Sequence, residues 1–361
     1  MPFEHIPASV TLLFILYGVT GTAALIATAY LLLRRGNAFA AHVTPPMRLR
    51  RWAASFFAAA ALSHVWWYIF YTYFGNTLSV AHVVISVLDC SALLTTIAGT
   101  LLAMLQDRQR PIWPIPVALI PFAAIGAIMM FSPSMLLMYI AIAYILLAYL
   151  LFTIYILLAL RQYGQWLRDN YADLENKKVW LSQVLTITMM LMFIVYAFDD
   201  GTPIIRHIMV IAELILFGLL LWRVETLPQL NLPPQKEPHP TAPVNIDPSN
   251  IEQLLAQHCI APKLYLQHDL KLPQLAQAIG INRYYLSQYF SLRGTNYNTY
   301  INDLRIRHFV SRYRETIYTA HPLTAQQLAE ESGYHSYSTF SLAFKQRMGK
   351  SVTVWMRNPD Q

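Results

Sequence analysis

Leu323-Thr324-Ala325-Gln326-Gln327-Leu328-Ala329-Glu330-Glu331-Ser332-Gly333-Tyr334-His335-Ser336 is the stretch whose reading decides the fold. Thr324 is a good helix N-cap, and Gln327 stands three residues on, where its side chain can reach back to the cap. Leu328 and Ala329 supply an apolar stripe, and Gly333 ends the helix where a positive φ is wanted. Tyr334-His335-Ser336 reads as a turn. Ser336 or Ser338 then caps a second helix, which carries Phe340 and Phe344 four residues apart on one face. The other face holds Tyr337, Ser338, Ser341, Lys345 and Arg347, and Gly349 stops the helix. A short helix, a tight turn with glycine and a second helix showing polar and basic groups predict a helix-turn-helix.

Working toward the N-terminus, the same design recurs. Leu272 to Ile279 is a supporting helix closed by Gly280, and Asn282 caps the next one. Tyr285, Leu286, Tyr289 and Phe290 can face inward, while Arg283, Tyr284, Ser287 and Gln288 face out. A helix from Asn298 to Arg314 follows, holding Arg305, Arg307, Arg312 and Arg314. At 1.5 Å per residue it is about 25 Å long. That length suits two recognition helices in successive major-groove windows, which lie about 34 Å apart.

Leu328-Ala329, Gly333-Tyr334, Ser338-Thr339-Phe340, Phe344-Lys345, Gly349 and Trp355-Met356-Arg357 together resemble the signature of the AraC/XylS family. Asp269-Leu270 through Tyr285-Leu286-Ser287 is similar to that family's first unit. The resemblance spans residues 251–357. It implies sequence-specific DNA binding with both second helices in the major groove. By position it makes Tyr284, Ser287 and Gln288 the base-facing residues of the first unit. In the second they are Tyr337, Ser338, Ser341 and Leu342. Arg283, Lys345 and Arg347 complete the expected DNA-binding set. The sequence departs from the family pattern at Phe309, Leu342 and Val352.

The rest of the chain is of another kind. Of 361 residues, 56% are hydrophobic and only 12% charged, against about 25% charged in soluble domains. The net charge is +7, and residues 250–361 hold 12 Lys+Arg and 7 Asp+Glu, +5 of that total. A basic C-terminal part suits phosphate contacts. Cys90 and Cys259 are far apart in the chain, so neither a disulfide framework nor a cysteine metal site is expected.

Seven apolar runs read as spanning helices: Ser9–Leu33, Trp52–Phe74, Leu78–Leu105, Ile112–Phe131, Met135–Leu160, Trp180–Phe198 and Ile204–Trp222. Most reach the ~20 residues needed to cross hydrocarbon. Pro114, Pro116 and Pro121 make the fourth a candidate for a kinked or re-entrant segment. The first, third and fifth loops hold the arginines and lysines: Arg34, Arg35, Arg48, Arg50 and Arg51; Arg108 and Arg110; Arg161, Arg168, Lys177 and Lys178. The intervening turns are uncharged or, at Asp199-Asp200, acidic. The positive-inside rule then puts the N-terminus outside and the C-terminus in the cytoplasm. With the family resemblance, the expected location is the inner (cytoplasmic) membrane of a bacterium. The expected fold is all-α: a seven-helix transmembrane bundle (1–223), a proline-rich cytoplasmic linker (224–248) and an AraC-type DNA-binding domain (249–361).

Pro228, Pro233, Pro234, Pro238, Pro240, Pro243 and Pro248 forbid a continuous helix in the linker. It cannot serve as a rigid lever. Control is therefore expected by proximity: association of membrane halves, or docking of the DNA module on the basic cytoplasmic loops.

In the apolar half, ionisable groups at bilayer depth usually face a bundle interior. His64, Asp89 and Glu213 are the ligand-sensing candidates, against the plainer reading that they only tie helices together. Trp66-Trp67-Tyr68 and the aromatics after it read as an interfacial belt in preference to a ligand cage. No helical His-x-x-x-His pairing points to zinc, so no metal is expected. No nucleophile elbow, phosphate loop or kinase signature appears, so neither catalysis nor a cofactor is expected. Expected partners are double-stranded promoter DNA, the lipid bilayer, an unidentified ligand or membrane signal, RNA polymerase and a second copy of the chain. The rival reading is a transporter or receptor whose degenerate helix-turn-helix tail contacts a protein; Leu342 and Val352 lean that way.

Overall fold

The computed structural model describes residues 8–34, 36–41, 43–73, 80–132, 134–174, 177, 179, 184, 188, 192, 203–230, 248–316 and 323–357. The described residues are helical, with no strand among them. Most of the expected sixth span and of the proline-rich linker, and the turns at 75–77 and 199–201, lie outside them. The chain divides into two compact units. One comprises Met1–Arg161 and Val179–Leu232; the other comprises Gln162–Lys178 and Pro233–Gln361.

The first unit contains α1 (Ala8–Leu33), α2 (Met47–Tyr73), α3 (Val80–Ala103), α4 (Pro114–Ala118), α5 (Ile120–Phe131), most of α6 (Met135–Asn170) and α7 (Pro203–Thr226). Helix α2 is central and packs on α1, α3 and α7. Small side chains allow this: Ala24, Ala27, Ala53, Ala54 and Ala60 are buried beside Phe57, as helices approach closely where residues are small. At Gly99 the ring of Trp52 lies so near that a Cβ would collide with it. The outward faces are apolar too, with Leu33, Leu88, Phe131, Leu136, Leu151 and Ile204 exposed. Among the described residues, four helices are long and apolar enough to cross a membrane: Val10–Leu33, Val80–Ala103, Met135–Asn170 and Ile204–Thr226.

The helices differ from expectation at three places. Helix α2 begins at Met47, five residues early, and so takes in Arg48, Arg50 and Arg51. The fourth apolar run is broken: α4 has five residues and α5 twelve, with Pro121 in the first turn of α5. The proline ring and missing N–H account for the break. Helix α6 is 36 residues long and runs ten past Leu160, because Arg161, Gln162 and Gln165 are good helix formers although polar.

In the first unit, partners from α1, α2 and the stretch between them gather around the last turn of α7. Glu225 is fully buried, 3.3 Å from Nε of Arg50. Its Oε2 also accepts the Tyr30 hydroxyl at 3.0 Å. Asn37 donates to the Glu225 carbonyl at 2.6 Å. Beyond this point the chain is pinned: Gln229 N–H donates to the Thr44 carbonyl, and Leu230 N–H to Gln106 Oε1.

The second unit contains α8 (Pro248–Leu255), α9 (Leu272–Ala278), α10 (Arg283–Leu292), α11 (Tyr297–Thr316), α12 (Ala325–Glu331), α13 (Tyr337–Met348) and α14 (Val352–Arg357). It has two cores on one shared helix. Tyr297 and Ile301 of α11 join the first core, with Leu270, Leu275, Leu286 and Phe290. Ile306, Phe309 and Tyr313 join the second, with Leu328, Phe340, Phe344 and Trp355. The Phe309 ring packs at a tilt against Phe340, 4.4 Å away by ring centroid, which accommodates a bulky residue there.

The turns follow their residues. Gly333 sits at φ 88°, and a Cβ there would lie 2.6 Å from the carbonyl oxygen of Leu266. Gly280 has φ 73° but open space around it. Gly333→Ala is therefore expected to cost about 2–4 kcal/mol, and Gly280→Ala about 1–2 kcal/mol. Chemical denaturation of the two variants checks the difference; equal losses would mean that the Leu266 carbonyl yields without penalty.

Candidate functional site

Each helix-turn-helix is built by local hydrogen bonds. Thr324 Oγ1 accepts from Gln327 N–H at 3.3 Å, and Gln327 Oε1 accepts from Thr324 N–H at 2.9 Å. These satisfy two donors that a helix start leaves open. Asn282 Oδ1 caps α10 by accepting from Tyr284 N–H at 2.8 Å. Ser336 Oγ caps α13 by accepting from Thr339 N–H at 3.3 Å. The buried faces of α10 and α13 are Leu286, Tyr289 and Phe290, and Phe340 and Phe344.

With those faces inward, the opposite faces are fixed. Tyr284 and Gln288 are exposed on α10, with Arg283 and Ser287 half-buried beside them. On α13, Tyr337, Ser338, Leu342 and Lys345 are exposed and Ser341 is half-buried. Arg347 is exposed but ion-paired to Asp303 of α11, which also holds Arg307 at 2.6 Å. Arg347 is thus tied to α11 and is not an unengaged cation. Helix α11 is 20 residues long, about 30 Å at 1.5 Å per residue.

Arg305, a residue with no role assigned from sequence, joins the two cores. It is almost wholly buried. Its Nε and one NH2 group donate to the Tyr265 and Gln267 carbonyls, both at 2.7 Å, and its guanidinium lies over the Tyr334 ring. Burial pulls its pKa below the ordinary arginine value, while the neighbouring Tyr334, Tyr297, Asp173 and Asp269 oppose that.

Sequence reasoning also missed a strap. Residues 162–178, the end of α6 and the loop after it, belong to the C-terminal unit. Tyr171 pairs with Lys271 in an isolated antiparallel bridge, and Ala172 sits in the first core. Ala172 N–H donates to the Leu270 carbonyl at 3.2 Å. Asn298, at the start of α11, donates to the Tyr171 and Ala172 carbonyls at 3.1 and 2.6 Å. Lys177 pairs with Asp269 at 3.2 Å. Burial alone would raise the Asp269 pKa, but Lys177, His335 and Lys271 hold it below the usual carboxylate range. Tyr163, Trp166 and Tyr171, in ring contact with one another, were the available signal. Such an aromatic run beyond an apolar span asks for a partner.

In the first unit, His64, Asp89 and Glu213 come together on one cavity of about 550 Å³. His64 Nδ1 is 2.8 Å from the Ala60 carbonyl, and its Nε2 is 3.6 Å from Glu213 Oε2. Asp89 Oδ2 accepts from Ser63 Oγ and from Trp67 Nε1, each at 2.9 Å. Trp67, read as part of an interfacial belt, is therefore a cavity residue. Among the described residues no cluster of His, Cys, Asp and Glu could hold a metal ion.

Residues 275–358 match a protein-family profile described as a helix-turn-helix domain. The match lies on α9 to α14 and supports the AraC-type reading of those helices; it suggests a DNA-binding regulator. No curated protein and no solved structure matches the chain.

Proposed function

We propose that this chain is a membrane-bound, sequence-specific DNA-binding transcription regulator whose apolar half senses a signal. The observation that carries the reading is the pair of capped second helices, α10 and α13, on either side of one continuous α11. Both turn polar and basic side chains outward. Four long apolar helices with apolar outer faces support insertion in a bilayer. We take the full count as seven spans, with Trp180–Phe198 as the sixth and the broken α4–α5 pair as the fourth. The basic loops then face the cytoplasm, with the C-terminal unit. The chain acts by binding, without catalysis. Promoter DNA and RNA polymerase are its partners, and a second copy would raise local concentration.

The linker is not the sole connection between the halves. Helix α6 continues unbroken from the apolar run into residues 162–170 of the C-terminal unit. Signal transfer through that helix and its strap is therefore part of the proposal, alongside control by proximity.

The test is DNA binding by the full-length protein against salt. Gln288→Ala is expected to weaken a specific site by about 1–3 kcal/mol while leaving random DNA unchanged. Lys345→Ala should weaken both alike and flatten the salt slope by about one unit. The rival reading, a protein-binding tail, draws on exposed Leu342 and on Arg347 being held by Asp303. It predicts no steep salt slope at all, and that outcome would replace the regulator reading.

A further inference from the structure

We propose that Leu342 is the residue with which α13 reads the 5-methyl group of a thymine in the major groove, so that the two recognition helices select their bases by different chemistry. This rests on the DNA-binding reading above and names what one helix of that site recognises. Leu342 falls in the first half of α13, Tyr337–Met348, the part of a recognition helix that meets base edges. It stands two residues from each of Phe340 and Phe344, which are fully buried. At about 100° per residue that is about 160° round the helix from both, so Leu342 occupies the middle of the outward face. It is 47% exposed. Ser338, Lys345 and Gln346 flank it one turn away and are exposed as well.

In α10 the buried pair at the same spacing is Leu286 and Phe290, and the residue midway between them is Gln288, also exposed. Gln288 and Leu342 therefore hold corresponding places on the two helices. The glutamine amide carries a donor and an acceptor, the pattern that the edge of adenine matches. Leu342 carries neither. Pressed against the polar edge of guanine, adenine or cytosine, it would strip water from those groups and return no hydrogen bond, which is unfavourable. The apolar group that the major-groove edges do offer is the 5-methyl of thymine. Covering it with a leucine side chain removes apolar surface of both from water, which is favourable. Lys345, one turn on, brings a positive charge for the phosphate backbone beside that base.

The test uses the full-length protein in lipid nanodiscs. Its preferred duplex is selected from a random DNA library. Each thymine of that duplex is then replaced in turn by deoxyuridine, which lacks the 5-methyl group and keeps every hydrogen-bonding atom. Expected is at least one position where the swap weakens binding about fourfold, the loss of one buried methyl. At that position Leu342→Ser should bind the thymine and deoxyuridine duplexes equally, while Leu342→Met, still apolar, should keep the preference. If Leu342→Ser binds too weakly to measure, Leu342→Gln carries the same comparison. A duplex with no thymine sensitive to the swap, or a sensitive thymine whose response survives the polar variant, overturns the proposal; the exposed leucine is then a protein contact. The salt dependence of binding is measured on the same samples. A steep slope without a methyl response removes the thymine assignment alone, whereas no slope and no selected duplex removes the regulator reading itself.

Discussion

Replacing Arg305 by alanine is expected to destabilise the C-terminal unit by about 3–5 kcal/mol, because the buried Tyr265 carbonyl and the part-buried Gln267 carbonyl lose their donor, at up to about 1–3 kcal/mol each, and a large buried side chain is lost. The side chain bonds the Tyr265–Gln267 segment, beside the first core, and also covers Tyr334 of the second core. Its loss should therefore loosen the spacing of α10 and α13 as well as the fold. Arg305→Met keeps the apolar volume yet leaves the same carbonyls open, so it should recover only the cavity part. Arg305→Lys retains the charge but cannot fork to two acceptors. The order of stability should be wild type, Lys, Met, Ala. Thermal unfolding of the full-length protein, read beside specific DNA binding, checks it. If Met matches wild type, the two carbonyl bonds contribute nothing and the helix is held by packing alone.

The helix-turn-helix pair was legible in the sequence because its determinants are local. Thr324 and Gln327 are three residues apart, and Asn282 lies two from the N–H it caps. Arg305 was visible as a residue but not as a buried one: an arginine on a polar helix reads as solvated, and only tertiary packing reveals otherwise. The strap's aromatic residues were visible, but what they pair with was hidden for the same reason. Its bonds join Asn298 to Tyr171 and Ala172, more than 120 residues away, and no periodicity encodes such a pairing. Polarity also misplaced the end of α6, since leaving an apolar environment does not by itself end a helix where good helix formers follow. In the apolar half, His64, Asp89 and Glu213 stood out because ionisable groups there are rare. Ser63 and Trp67 did not, because either could equally have faced lipid or headgroups.

The strap changes what a C-terminal fragment would be. Residues 249–361 alone lack Ala172 in the first core and leave both Asn298 bonds unmade. The unit in the full chain includes 162–178, so the fold of the C-terminal half depends on residues from the end of α6.

Glu225→Ala is the second large effect, and it falls on the other unit. Removing one member of a buried ion pair leaves the partner charge uncompensated, which costs about 3–5 kcal/mol. Arg50 would be that partner; its NH2 group would keep only the Arg34 carbonyl at 2.8 Å. The Tyr30 hydroxyl would lose its acceptor as well. Thermal unfolding of the protein in nanodiscs should show the loss, and Glu225→Gln a smaller one, since an amide oxygen still accepts from Tyr30. The double variant Arg50→Met/Glu225→Leu separates pair from charge. Replacing both members by apolar groups of similar volume is often neutral, so the double variant should be more stable than Glu225→Ala alone. If instead it is the less stable of the two, the pair itself, and not the penalty of an orphaned charge, holds α1, α2 and α7 together. The position makes the outcome functional: Glu225 stands where α7 ends, four and five residues before the backbone bonds from Gln229 and Leu230 that pin the start of the linker. Loosening it should release that anchor and blunt any response that depends on where the linker begins.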